Sequence, residues 1–325
     1  VFRLSIIIPC LETDGRLDDT LASVLQNRPE ACEVIVVHRG RYDDPYDLAG
    51  EVVFHEAAGD EGLVGLLNHG LELAQGPIVH LLQCGSEVEE GWTDRALQRF
   101  DDKHVAAVSP LVFAPPVARR ERADAAACVG VAAARFGGSR PVVQLGDGPL
   151  RPRPLGPSLV AAFYRTESLR SIGGFAPCVG AELADLDAAL ALAAKNLQCV
   201  VEPSSRVTAC GESQQFGDVF SAGQAAERLF WRHVFRPRGG GLGAVLAHPL
   251  SLVLDLLVRL PRGGAFRRAA GRVAVLAEAG CHARFGRSLI SAPSPEKTVE
   301  GTSRRVDRPH VNQRTVGRNA KTLTP

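Results

Sequence analysis

Methionine is missing from all 325 residues, so Val1 stands either for a non-AUG start or for the first residue of a fragment. An excess of charge is missing too. Thirty-seven Lys and Arg face 36 Asp and Glu, a formal net charge of +1, which argues against a global electrostatic partner such as nucleic acid. No nucleic-acid motif occurs. The cysteines Cys10, Cys32, Cys84, Cys128, Cys178, Cys199, Cys210 and Cys281 form no CxxC pair and no Cys/His spacing suited to zinc, and read as reduced cytosolic thiols. The opening VFRLSIIIPC has an apolar run too short for a signal peptide's core and no small-residue cleavage site, so it reads as a first strand. A glycine-rich GxGxxG turn is also absent: PCLETDG follows that strand, which excludes a dinucleotide-binding oxidoreductase.

What is present is an alternation of strands and helices. With 45% apolar and 22% charged residues, the composition is that of a soluble globular protein, long enough for one large α/β domain plus a tail. Leu4 to Pro9, Glu33 to Val37, Glu51 to His55, Pro77 to Leu82 and Val105 to Val112 are apolar, β-branched runs of the kind buried on both faces of a parallel sheet. Leu17 to Gln26 and Leu63 to Ala74 space their leucines at helical intervals. The pattern predicts an open parallel sheet whose ligand sits beyond the strands' carboxyl ends, in the loops after Pro9, Val37 and Leu82. Residues 113–156 are rich in Pro, Gly, Arg and Ala and read as a variable excursion outside the core. Order returns at Ser158 to Arg165, a turn at Gly173-Gly174, a helix over Leu183 to Asn196 and a short strand over Cys199 to Val201. Gly217 to Arg238 reads as an amphipathic packing helix. Leu242 to Leu260 is apolar but holds His248, Pro249 and Asp255, and reads as a helix lying on the membrane or on the domain rather than spanning a bilayer. Residues 288–325 read as a disordered tail.

Several of these segments, in this order, resemble family 2 glycosyltransferases. LSIIIPCLE is similar to that family's first strand and loop. NHGLELAQGPIVHLL carries its Asn-X-Gly helix through Asn68 and its Ala-X-Gly through Ala74 and Gly76. GSEVEEGW leads to Trp92, Gly173-Gly174-Phe175 matches a Gly-Gly-Phe of the acceptor half, and ADLDAALALAAKN resembles the Glu-Asp-X-Asp helix. The resemblance covers roughly the first two-thirds of the chain. It implies a GT-A fold, an α/β architecture with a mostly parallel open sheet, and transfer of a sugar, of the hexosyltransferase type, from a nucleotide-sugar donor to an acceptor hydroxyl. It implies donor contacts from Pro9, Glu12, His38, Arg39, Gly40, Asn68, Gln83 and Gly85, acceptor-side residues Trp92, Gly173, Gly174, Phe175 and Asp187, and Asp185 as the catalytic base.

The departures from the pattern bear on chemistry. A departing diphosphate gains charge that a cation must stabilise, and the family's Asp-X-Asp after the fourth strand holds a hard divalent ion through oxygen ligands. Here Gln83-Cys84-Gly85 stands in its place, so no magnesium or manganese site of the usual kind is expected. His38-Arg39-Gly40 replaces Asp-Asp-Gly after the second strand. Arginine binds phosphate through paired hydrogen bonds, which makes a metal-free diphosphate site conceivable, the alternative being two solvated loop residues. Glu12 stands where asparagine is usual, and Ala184 replaces the Glu ahead of Asp185. Asp185 is either the base or a helix N-terminal acid favoured by the dipole. The expectation is thus a glycosyltransferase acting on a bacterial cell-envelope saccharide or a lipid-linked acceptor. The alternative is a catalytically inactive relative that binds a partner. The expected divisions are a catalytic domain over 1–235, an amphipathic, membrane-contacting extension over 236–287 and the tail. The expected location is the cytoplasm, at the inner face of its membrane.

Overall fold

Seven consecutive buried residues form β1 (Leu4–Cys10), and seven more form β2 (Cys32–His38). Both are buried because helices cover both faces of the sheet. Along β1, Ile6 and Ile8 enter one apolar cluster with Leu17, Leu21 and Val24 of α1 (Gly15–Gln26), while Ile7 enters the other with Leu66, Leu67 and Leu71 of α2 (Leu63–Leu73). This alternation is the period of two that a strand imposes. Asp14 caps α1 by accepting a hydrogen bond from the Arg16 N–H. The computed structural model describes residues 2–59, 61–115, 126–145, 153–210, 217–236 and 241–291.

β3 (Val52–Glu56), β2, β1 and β4 (Ile78–Leu82) lie side by side in parallel. The first four strands therefore end within a residue of the expected positions. The sheet continues through β9 (Ala161–Arg165), β6 (Val105–Phe113), β10 (Gln198–Ala209) and β5 (Ser86–Val88), giving the order β3-β2-β1-β4-β9-β6-β10-β5. β9 runs antiparallel to β4 and β6, β10 runs parallel to β6, and β5 runs antiparallel to β10. The path leaves β1 towards β2 and β3, then returns to β1's other side as β4. That reversal makes the carboxyl ends of β1 and β4 the sheet's topological switch point.

Two expectations are corrected. Part of 113–156 is core architecture: β7 (Ala126–Ala134) and β8 (Gly138–Leu145) form a hairpin whose first strand pairs with β6. Residues 116–125 and 146–152 lie outside the described residues. The short strand at Cys199–Val201 extends to Ala209, with a register irregularity between Glu202 and Arg206 that accommodates Pro203. Residues Val1–Ser291 form one compact unit. Within that unit α5 (Gly180–Ala194) packs on α6 (Val219–His233), α6 packs on α8 (Ala265–Ala274) and α9 (Ala279–Ser291), and α7 (Gly241–Arg259) packs on α8. Ser288 to Ser291 end α9, and the rest of the expected tail, 292–325, lies outside the described residues.

Candidate active site

The register that pairs Ile7 with Leu81 continues past β4 and sets Pro9 beside Gln83 and Cys10 beside Cys84. The Cys10 thiol donates to the Cys84 sulfur at 3.3 Å. That bond comes first among the causes raising the Cys10 thiol far above its usual range, followed by burial. The same bond lowers Cys84. Gly85 adopts a left-handed φ of 85°, donates its N–H to Thr20 Oγ1 at 2.8 Å and accepts from the Cys210 N–H at 2.7 Å. An aspartate at this position would meet a backbone that favours glycine. On the neighbouring strand, buried His38 places Nδ1 2.7 Å from the Gly40 carbonyl, and Gly40 is also left-handed. The Arg39 N–H bonds to the Cys10 carbonyl, which ties the two loops together. Glu12 is exposed and reaches Arg16 at 3.5 Å.

Gln83 lines a cleft of about 520 Å³, within the range of small-ligand sites. The β7–β8 hairpin forms one wall, Ser158, Leu159 and Val160 ahead of β9 form the floor, and α5 supplies the far side. There Asp185 and Glu182, one helical turn apart, face the same space. Burial raises Asp185 from its ordinary value to about 7, and N–H groups of Leu186, Asp185 itself and Leu159 offset this only in part. Leu186 N–H donates to its Oδ1 at 2.7 Å. A carboxyl poised near neutrality in a cleft is what general-base chemistry requires. Burial also raises Glu182, with Arg268 opposing it. Arg259 and Arg268 complete the lining.

Asp187, two residues along α5, has the opposite fate. It is buried, accepts two bonds from Arg232 at 2.7 and 2.9 Å and lies 2.8 Å from His233 Nε2. Burial pushes it up, but His233 and Arg232 more than offset that and hold it below the usual carboxylate range. It joins α5 to α6. Other expected contacts are likewise used by the fold. Asn68 spends both amide atoms on Phe175, donating to its carbonyl at 2.8 Å and accepting from its N–H at 2.9 Å. Gly173 and Gly174 take left-handed φ values of 85° and 71°, ending α4 (Thr166–Ser171) through bonds to the Arg170 and Leu169 carbonyls. Phe175 is buried edge-on to Tyr164. Trp92 is buried beneath the sheet and donates from Nε1 to His80 Nε2 at 3.2 Å. Burial lowers His80 to about 3, so it is neutral and keeps its proton on Nδ1 for the Ala162 carbonyl. Asn68 and Asp187 thus spend their polar atoms, and Trp92 its indole N–H, on bonds within the fold, and Phe175 is buried beside Tyr164.

Residues 5–149 match the sequence model of glycosyl transferase family 2. This span holds β1 to β8 and the whole β1–β4 switch point. Over that span the chain is similar to family 2 glycosyltransferases.

The similar solved structures agree with a GT-A fold for this chain. The mannosyltransferase PcManGT from Pyrobaculum calidifontis, in complex with GDP-Man and Mn2+, superposes with a TM-score of 0.51 at 16% identity, over 91% of this chain and 82% of that one. GalNAc-T7, with UDP, GalNAc and Mn2+, gives a TM-score of 0.60 at 14% identity, over 93% of this chain and 56% of that one. No curated protein matches the chain by sequence.

Both of those structures carry manganese, and the donor set at the switch point here does not fit such an ion. It offers an amide at Gln83, a glycine and two thiols hydrogen-bonded to each other, and the nearby Glu12 and Asp14 are engaged by Arg16, whereas hard divalent cations select several carboxylate or carbonyl oxygens. Among the described residues no three His, Cys, Asp or Glu side chains converge. The glycosyltransferase cleft instead draws cationic groups from the C-terminal helices. Arg259 and Arg268 escaped the sequence reading because their helices lie over a hundred residues from the donor loops. Glu182 was legible as a second acid at helical spacing from Asp185.

Proposed function

We propose that this glycosyltransferase moves a sugar from a nucleoside diphosphate donor to an acceptor hydroxyl with Asp185 as base and without a divalent cation. The observation that carries this reading is that Asp185, raised to about 7 by burial, shares one cleft with Gln83 at the β1–β4 switch point. Ionised Asp185 accepts the hydroxyl proton as the acceptor oxygen bonds to the anomeric carbon. The bond from that carbon to the donor phosphate breaks, and the nucleoside diphosphate leaves with the electron pair. Charge developing on the leaving group falls to arginine, through Arg39 at the β2 loop and Arg259 and Arg268 in the cleft.

The donor base and sugar follow from none of these contacts. The acceptor we assign is a cell-envelope saccharide or a lipid-linked one, met in the cytoplasm at the inner face of its membrane. The test is release of nucleoside diphosphate from a panel of UDP and GDP sugars with extracted envelope acceptors, in the presence of EDTA. Release that disappears in Asp185→Asn supports the proposal. Release that needs manganese refutes the metal-free step. Tight sugar-nucleotide binding with no release under any condition favours the alternative, a silent relative that has kept its donor loops while losing the carboxylates.

A further inference from the structure

Helix α7 is built with its polarity inverted. Its only buried residues are His248 and Asp255, seven positions and two turns apart on one face. Both meet polar groups of the domain. His248 Nε2 lies 2.6 Å from Glu227 Oε1, and Asp255 holds Arg259 at 2.6 Å, Arg272 at 3.1 Å and Arg268 at 3.3 Å. The outward face is apolar. Leu242, Leu246 and Leu250 are 75%, 82% and 62% exposed, and Val253, Leu254, Leu257 and Val258 continue the surface towards the helix end. The i, i+4 ladder from Leu242 to Val258 runs nearly the full helix, a stripe of about 25 Å at 1.5 Å per residue. At the start of α8, Phe266 is exposed as well. A helix on a water-facing surface has the reverse pattern.

We infer that this face seats on a lipid bilayer bearing anionic headgroups, with α7 lying in the interface. The ionic attachments decide against a spanning orientation: along two turns α7 is bound to Glu227, Arg268 and Arg272 of the packed domain, so only its other face is free to meet lipid. Charge decides between lipid and a second copy of the chain. Residues 241–291 contain seven arginines (259, 262, 267, 268, 272, 284 and 287) and two acids (Asp255 and Glu278), a formal balance of 7 − 2 = +5; Arg268 and Arg272 are buried against Asp255 and Glu227, while Arg267, Arg284 and Arg287 are exposed. A twofold contact would bring two such regions together and repel, whereas an anionic leaflet attracts them. Arg267, exposed and paired with Asp218 at 2.8 Å, follows exposed Phe266 in the chain, so this end of the surface carries both a cationic and an aromatic side chain, a composition that suits the headgroup boundary. Arg259 and Arg268 also line the cleft, so the seated surface and the cleft share a wall. The inference stands whether or not Asp185 proves to be a base.

The test is sedimentation of the full chain with vesicles of phosphatidylcholine alone and of phosphatidylcholine mixed with phosphatidylglycerol. The chain is expected to pellet with the anionic vesicles, less with the neutral ones, and less again as salt is raised. The double variant L246E/L254E changes only exposed positions, so its melting temperature should be retained, and the fraction bound should fall at least roughly tenfold. Arg267→Ser should weaken binding to anionic vesicles by several-fold, on the order of one interfacial charge, and leave neutral vesicles unaffected. The inference is overturned if the chain stays in the supernatant with both vesicle types, if L246E/L254E pellets like the parent, or if light scattering finds a dimer that this variant dissociates.

Discussion

Replacing Asp185 by Asn should lower turnover and raise stability together, and both effects have one cause. Burial lifts this carboxyl from an ordinary 3.8 to about 7, so the folded protein binds the proton more tightly than the unfolded chain does. With the folded value above the unfolded one, the associated stability is complete below the unfolded value and is lost as pH rises through about 7. At about pH 8 the ionised carboxylate costs the fold up to roughly 4 kcal/mol, from a gap of about three pKa values at 1.36 kcal/mol each. Water in the cleft screens part of this, so a gain of about 2 kcal/mol is expected for the variant. Asparagine cannot ionise and still offers an oxygen to the Leu186 N–H, which now donates to Oδ1 at 2.7 Å. For a domain of this size the gain corresponds to roughly 4–8 °C in melting temperature near pH 8, shrinking towards zero near pH 4. Calorimetric melts of both proteins across that range measure it. Turnover, read as nucleoside diphosphate release, should fall roughly a hundredfold or more with donor affinity nearly intact. Melting curves that run parallel across the whole range would show that Asp185 is not raised, and its assignment as a base poised near neutrality would fall with it.

The native enzyme's turnover should rise with pH through about 7 as Asp185 ionises, and a pH–rate profile flat across neutrality contradicts the assignment. Arg39→Ala should weaken nucleoside diphosphate binding about tenfold, the loss of one charge-assisted contact, by calorimetric titration; an unchanged affinity would make Arg39 a solvated loop residue. The same titration should be unaffected by EDTA, and an affinity that collapses and returns with manganese would place a metal site where none is expected. Asp187→Ala leaves Arg232 and His233 buried without their carboxylate, at a cost of about 3–5 kcal/mol in urea unfolding. Because the folded Asp187 value is depressed, its contribution is present above the unfolded carboxylate value and fades as pH falls through the folded one, so the difference between parent and variant should narrow in acid. Gly174→Ala puts a Cβ 2.6 Å from Asn68 Oδ1 on a left-handed backbone, and should destabilise by roughly 1–3 kcal/mol.

Local pattern alone determined the parallel half of this protein. Leu4 to Pro9, Glu33 to Val37 and Pro77 to Leu82 are apolar without alternation because both faces of their strands are covered, and that condition is written in each strand's own residues. The switch point followed from the same pattern, since strands joined by short helical crossovers leave their carboxyl-end loops on one edge. The motif residues were also found, but their roles were not. Asn68, Trp92 and Phe175 occupy their expected places in the chain, and only the packed structure shows their polar atoms and rings consumed by Phe175, His80 and Tyr164. Only the family resemblance separates Asp185 from Asp187 in the sequence; by spacing alone they are two acids near the start of one helix. Their fates diverge because Arg232 and His233, some 45 residues on, reach one and not the other. The β7–β8 hairpin was illegible for a related reason: its strands are held by pairing with β6 and with each other, and their small residues carry little periodicity of their own. Helix α7 is the clearest division. Its sequence announces an apolar helix with two misplaced polar residues, and only the tertiary contacts of His248 and Asp255 decide which face turns inward, because an ion pair between distant segments leaves no trace in the spacing of either one.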